Sequence, residues 1–522
     1  MNEHKPVINL AFFTILSRIV GFLRVLAVGA LLGTTLIGNT FQSTNSISNI
    51  LFDLLVAGAL SSALVPQLSI ALNKSDAEFK NIVSSLLTVV LIILGLITIV
   101  GFIFAPYISD ILFQNVPLGH RTEQIKTGTI LIRFFIPQVF LYGIGAVSVA
   151  ALSAKKIFTP AAIAPIASSI VLVVGLGIFR LESRDISDDL STKSIIILGI
   201  TGTLACIGFV IIPVYVGIKN RISMSLSSNF KLGISVLKTS TWAIAIQASA
   251  ALILGISIFL GNKTPGAVVA YQIGFMFFIA PYAIISQSFS TVVLPDLSLQ
   301  AANSHEEENK LLFEKNVSKT MSWTYIPLSV LTAIVISLSK PIATIISIGE
   351  AKNGTRLFEL ILISMYIGLM PYGVYQSCSR IFFAKASVKM PALVIFISSV
   401  LISIIGLSIS SRFEAKNIII VMGLVHTIAY LISALALVVM LNVRGINTLP
   451  NKTDSLFIFG SIIFGSLGFI VSKIVNPNTM TSSYTFISIF IAILFIMMLF
   501  IVPNSKLKEY KNAISSRKNI NV

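Results

Sequence analysis

Three short patterns recur along the chain at almost one spacing. Ser61-Ser62-Ala63-Leu64-Val65-Pro66-Gln67-Leu68-Ser69 returns as Ser290-Thr291-Val292-Val293-Leu294-Pro295-Asp296-Leu297-Ser298, 229 residues on. Tyr142-Gly143 returns as Tyr372-Gly373 after 230 residues, and Pro160-Ala161 with Ser168 returns as Pro391-Ala392 with Ser399 after 231. A common offset means that one structural unit is used twice. Hydropathy says what the unit is. Of 522 residues 55% are hydrophobic and 11% charged, at a mean hydropathy of +0.94, more apolar surface than a soluble core can hide.

Fourteen apolar runs of about 20 residues read as membrane spans, from 9–33 and 38–72 at the start to 455–475 and 482–503 at the end. Each unit holds six of them. An even number makes both halves enter the membrane in the same sense, which relates them by an axis along the membrane normal. The expected fold is therefore an all-α integral membrane protein of about fourteen transmembrane helices. Two six-helix lobes, 1–230 and 231–447, face each other; spans thirteen and fourteen, in 448–504, are an addition, followed by a basic tail, 505–522. Pro137, Gly143, Pro281, Pro371 and Gly373 fall within spans and mark bend points, as suits lobes that rock. Residues 299–316, with an acidic run, read as a cytoplasmic surface helix, and 181–193 as the longest charged loop on the other side.

The net charge of +17 would suggest nucleic acid in a soluble protein. Here the positive-inside rule accounts for it, and no nucleic-acid partner is expected. Twenty-two of the 37 Lys and Arg residues lie on the side of the N-terminus and twelve on the other, which places both termini in the cytoplasm. The first apolar run is interrupted by Arg18 and lacks a small-residue cleavage site, so it reads as a retained span. Cys206, Cys378 and the four histidines show no metal-ligand spacing; neither metal nor cofactor is expected.

Arg18, Arg24 and Arg133 stand within spans, as does Asp53. A charge at such depth costs roughly 2.5 to 3.5 kcal/mol on insertion scales and belongs beside a partner or a wet cavity. Gln42, Asn45, Asn49 and Asp53 follow one another at steps of three, four and four, one face of a helix. The first two spans thus read as lining a polar cavity. Two readings compete: a buried structural pair between Asp53 and one arginine, or an anion site. One acid cannot neutralise two arginines, and the surplus of positive charge suits an anionic substrate. Arg133 serves either purpose, as a partner of Asp53 or as a substrate contact.

The runs SRIVGFLRVLAVGALLG, NTFQSTNSISNILFDLLVAGALSSALVPQLS and IPQVFLYGIGAVSVAALSAKKIFTPAAIAPIASSIV resemble the MurJ (MviN) family of lipid II flippases, in particular its actinobacterial branch. The resemblance implies the multidrug/oligosaccharidyl-lipid/polysaccharide exporter fold. It also implies alternating-access export of the undecaprenyl-pyrophosphate-linked peptidoglycan precursor across the bacterial plasma membrane. Arg18 and Arg24 match first-span arginines thought to engage the pyrophosphate, and Asn49 matches as well. Departures are Asn39 for an acid, Phe52 and Met276 for arginines and Ala57 for a glutamate; Asp53, one turn before Ala57, stands in for the missing carboxylate. The last two spans would form a groove for the lipid tail. Implied partners are lipid II, membrane lipids and cell-wall synthesis proteins. Two rivals remain: a flippase for another polyprenyl-linked glycan, and an integral-membrane glycosyltransferase, for which Asp185, Asp188 and Asp189 are the only candidate acids.

Overall fold

The computed structural model describes residues 4–54, 64–183, 190–222, 225–227, 229–238, 241–303 and 306–501. Among these the structure is helical, with connections of a few residues. In the first half run α1 (His4–Leu32), α2 (Leu36–Phe52), α3 (Val65–Lys74), α4 (Asp76–Ile103), α5 (Ala105–Leu112), α6 (Leu118–Phe135), α7 (Pro137–Ala154), α8 (Thr159–Glu182) and α9 (Thr192–Lys219). A short helix, α10 (Phe230–Lys238), leads to the second half: α11 (Thr241–Gly261), α12 (Ala267–Tyr282), α13 (Ser288–Ala302), α14 (Glu307–Ser337), α15 (Ser339–Ile346), α16 (Thr355–Tyr366), α17 (Leu369–Ala384), α18 (Lys389–Ser410) and α19 (Ile418–Val443). Helices α20 (Lys452–Val475) and α21 (Met480–Ile501) close the chain.

Helix is the only way for such apolar runs to satisfy their backbone within a bilayer. Their limits are set by capping side chains: Thr35 accepts from the Gly38 N–H, Ser75 from Glu78, Ser191 from Ser194, and Asn451 forms a reciprocal box with Asp454. Gly33 and Gly266, at φ +74° and +76°, turn the chain between α1 and α2 and between α11 and α12.

The two halves correspond element for element. The pairs α1–α8, α8–α9, α7–α9 and α4–α7 pack closely in the first half, as α11–α18, α18–α19, α17–α19 and α14–α17 do in the second. The backbone repeats in detail. At Asp53 α2 passes into π-helical geometry, and 230 residues on α12 passes into a π-helical turn, Ala283–Gln287. A π turn adds a residue and rotates everything beyond it, so each half carries a hinge-like irregularity at one place.

Among the described residues eleven helices are long and apolar enough to cross a membrane, or twelve counting the pair Gly349–Tyr366 and Leu369–Ala384, which meet at 41°. Of the fourteen spans expected, the second contains residues 55–63, outside the described residues, and the last contains side chains from 491 onward that are likewise outside them. The surface helix expected over 299–316 is not a separate element. Residues 307–316 are the first turns of α14 and continue straight into its span, because nothing in EENKLLFEKN breaks a helix.

Of the expected bend points, Pro281 lies inside α12 two residues before the π turn, and the others divide into two kinds. Pro137 opens α7 and Pro371 lies in the first turn of α17, where a missing N–H is harmless. Gly143 and Gly373 allow close approach. A Cβ at Gly143 would overlap Leu94 and Val90 of α4, and one at Gly373 would overlap Leu328 of α14. The repeated Tyr-Gly therefore carries a repeated helix contact. Gly143→Val and Gly373→Val should each cost about 1–3 kcal/mol through overpacking, read as a lowered thermal midpoint of the detergent-purified protein, whereas Gly460→Ala, with nothing near its Cβ, should leave it unchanged.

Candidate functional site

The two halves are fastened together at one end. Asn39 of α2 donates through its amide to the carbonyls of Thr264 (2.8 Å) and Gly261 (3.4 Å), while its oxygen accepts from the Val268 N–H (3.0 Å). Ser43 donates to Asn262 (3.0 Å), whose own amide reaches the Leu112 carbonyl, and the Gly266 N–H donates to the carbonyl of Thr35. Further in, Gln272 donates to Ser46 and Phe22 packs edge-on against Phe277 at 4.9 Å. An ion pair between Arg180 and Glu350 (2.7 Å) spans the same end at the surface.

Beyond this seam the same helix faces lie open. On α12 the residues against α1 and α2 are Val269, Gln272, Ile273 and Phe277. Continuing that stripe, with one residue added by the π turn, gives Ile284, Ser288, Thr291 and Val292. These are exposed, Ile284 and Val292 at 67% and 69%. On α2 the stripe through Asn39, Ser43 and Ser46 continues through Asn49 to Asp53, also exposed. Two faces that touch at one end and are bare at the other enclose a cleft, closed beside Thr35 and open toward Asp53.

The predicted residues differ in burial and in their partners. Helix α2 sorts its polar side chains: Ser43, Ser46 and Ser48 are buried and spend their hydrogen bonds on Asn262, Gln272 and the Phe135 carbonyl, whereas Gln42, Asn45 and Asn49 are half-buried. Gln42, Asn45, Asn49 and Asp53 have no side-chain hydrogen bond or ion pair among the described residues. Arg18, exposed, and Arg24, half-buried, have none either. Arg24 and Asp53 do not form the structural pair considered above; both lie within electrostatic reach of Tyr142 on α7. Tyr142 packs against Phe52 at 5.2 Å and against Phe209 at 5.9 Å. Sequence reasoning saw Tyr142 as part of the repeat and missed it as a member of the site. Arg133 is not brought to this group. It lies exposed on α6, its guanidinium 5.6 Å from the centre of the Phe102 ring. Asp185, Asp188 and Asp189 lie outside the described residues.

A second feature adjoins the second half. Helix α20 is held to it at both ends: Asp454 accepts from Ser322 (2.9 Å), and Lys473 pairs at 2.5 Å with the buried Glu359, which Arg356 also contacts at 3.0 Å. Between these fasteners an apolar cavity of about 430 Å³ opens, lined by Thr332, Ile336, Ile367, Met370, Ile462 and Phe469.

The model of the lipid II flippase MurJ family matches residues 28–490, nearly the whole of the described structure. The chain belongs to that family. Curated relatives include the probable lipid II flippase MurJ of Buchnera aphidicola subsp. Acyrthosiphon pisum, 24% identical over 400 residues, 75% of each chain. That of Borreliella burgdorferi is 25% identical over 407 residues, 76% of this chain and 75% of that one. Among solved structures, lipid II flippase MurJ in an inward closed conformation superposes with a TM-score of 0.71 at 22% identity, over 94% of this chain and 100% of that one. An inward-facing multidrug transporter of the MATE family gives 0.63 at 13%, over 84% and 98%. As a MurJ family member the chain is a multi-pass membrane transporter, a lipid II flippase and not an enzyme.

The departures from the MurJ pattern acquire structural roles. Phe52 packs against Tyr142 with the rings tilted at 44°, and Met276 packs on the core of the second half. Asn39, where an acid is common, uses both ends of its amide: a carboxylate could accept from Val268 but could not donate to the two carbonyls. Asn39→Asp should therefore loosen the seam by about 1–3 kcal/mol. The check is a spin-label distance between Leu118 and Lys416, exposed positions flanking this end on either half; the variant should gain a longer-distance population.

Proposed function

We propose that the cleft receives the head group of lipid II from the cytoplasmic side and releases it on the other after the lobes rock about the seam. Charge asymmetry supports this sidedness: with both termini cytoplasmic, the open mouth beside Asp53 faces the compartment in which the precursor is made. Arg18 and Arg24 take the pyrophosphate, whose oxygens suit the planar guanidinium fork. Asn45 and Asn49, on the open stripe of α2, bond the sugar and peptide. Asp53 balances the cations through Tyr142 while the cleft is empty and gives way to substrate.

One observation carries the reading: Arg18 and Arg24, both within the first span, have no carboxylate partner among the described residues. An anion that enters the cleft supplies the missing charge. Drug exporters for cations would want the opposite sign. The polyprenyl tail stays outside the cleft, along the apolar cavity between α14, α17 and α20, so that only the polar head crosses. Delivered on the outer leaflet, the product meets cell-wall synthesis proteins, which makes these the chain's expected neighbours.

The test is the fraction of lipid II exposed on the outer face of cells depleted of their own flippase and supplied with this protein. The parent should restore exposure, and Arg18→Ala and Arg24→Ala, at equal expression, should lose it by at least tenfold, as expected for charge-assisted contacts of about 1.5–3 kcal/mol. A correctly inserted parent that restores nothing would redirect the reading to another polyprenyl-linked glycan. Filling the apolar cavity with Ser466→Trp should slow export of lipid II while leaving the binding of a tail-free, soluble head-group analogue intact.

A further inference from the structure

The second half carries its own cation on the cleft. Arg380 of α17 donates through Nη1 to the Gln287 carbonyl (3.2 Å), in the π-helical turn, and to the hydroxyl of Thr291 (2.9 Å) on the exposed stripe of α13; that hydroxyl itself donates to the same carbonyl (2.7 Å). Gln376, one turn before Arg380, donates to Tyr372 (3.0 Å). On α17 most side chains are buried, yet Gln376, Arg380 and Phe383 form a half-open stripe beside Thr291. No ion pair reaches Arg380 among the described residues. Two bonds from one nitrogen leave the rest of its fork available.

The repeat fixes where this group stands. Phe52 on Tyr142, beside Arg24 and Asp53, corresponds after 230 residues to Tyr282 on Tyr372, in edge-on contact at 4.8 Å, beside Arg380. The pseudo-two-fold relates the two aromatic pairs, and a guanidinium accompanies each from a different helix, Arg24 from α1 and Arg380 from α17. We propose that Arg380, with Gln376, is a second anion-binding point, which takes a carboxylate of the substrate's peptide while Arg18 and Arg24 hold its pyrophosphate. The inference rests on the lipid II reading. A pyrophosphate held on the first half leaves the peptide as the other source of negative charge, and a carboxylate matches the fork that Arg380 has free. A flippase with one cationic group on each half also senses both ends of the head group before it rocks.

The test is binding of three lipids to the full-length protein in nanodiscs: lipid II, lipid II with all peptide carboxylates amidated, and undecaprenyl pyrophosphate. The parent should prefer the acid over the amidated form by roughly tenfold, the scale of one charge-assisted contact. Arg380→Gln should abolish that preference by weakening the acid form alone, and Arg380→Lys should restore part of it. Undecaprenyl pyrophosphate should bind the parent and Arg380→Gln equally, and lose affinity in Arg24→Gln. A parent that does not distinguish the acid from the amidated form would overturn the proposal. So would an Arg380→Gln protein that weakens all three lipids alike, which is the signature of a side chain that merely pins the π turn. If the parent binds none of the three, the lipid II reading itself fails and takes this inference with it; if it binds lipid II and Arg380→Gln changes nothing, only this inference fails.

Discussion

The hydrogen-bonded seam around Asn39 is what gives the rest of the molecule its meaning. A buried amide that donates to two carbonyls and accepts from one N–H is fully spent, and it costs more to break than its net worth when formed, because each group would be left unpaired in an apolar setting. It holds α2 against the turn between α11 and α12 at one end only. The facing helices touch beside Thr35 and their continuing faces are bare toward Asp53 and Thr291, so the seam and the cleft are one feature seen from two ends.

The π-helical stretches at Asp53 and at Ala283–Gln287 sit where the two facing helices leave the seam. In the second half the Gln287 carbonyl, in the π turn, accepts from both Arg380 and the Thr291 hydroxyl. A polar cluster and a backbone irregularity therefore occur together at corresponding places in the two halves. This is what duplication followed by divergence of side chains produces: the aromatic pair is kept as Phe52 with Tyr142 and Tyr282 with Tyr372, while the charge beside it changes from Arg24 and Asp53 to Arg380 alone. The cations do not cancel within either half, and a molecule that holds unpaired guanidinium groups at membrane depth has kept them for something that arrives.

Helices α20 and α21 have no counterpart in the first half. Lys473 with Glu359 and Asp454 with Ser322 tie α20 down at its two ends and leave its apolar middle to face a cavity. A span added outside a duplicated core must be fastened by polar contacts, since apolar side chains gain little by leaving lipid for another apolar surface. The fasteners fix where the gap between α20 and α14 lies.

Much of this was legible in the chain itself. Apolar run length determines that the polypeptide crosses a membrane as helices, and the 230-residue offset determines that two units share one sense, because both depend only on local composition and order. The step of three and four from Gln42 to Asp53 determines that these side chains share a face. Which of them is open to the cleft was decided by tertiary structure: Ser43, Ser46 and Ser48 are as polar as Asn45 and Asn49, yet they are consumed by Asn262, Gln272 and Phe135, partners distant in sequence. Arg133 looked equivalent to Arg18 and Arg24 from its depth alone, and only the packing of α6, which turns it toward Phe102, separates it from them. Arg380 looked like a span-end charge until α17 was set beside the π turn of α12. The physical reason is the same in each case. Periodicity tells which residues share a face, but whether that face meets protein, lipid or a cleft is a property of its neighbours, and those are brought together only by the fold.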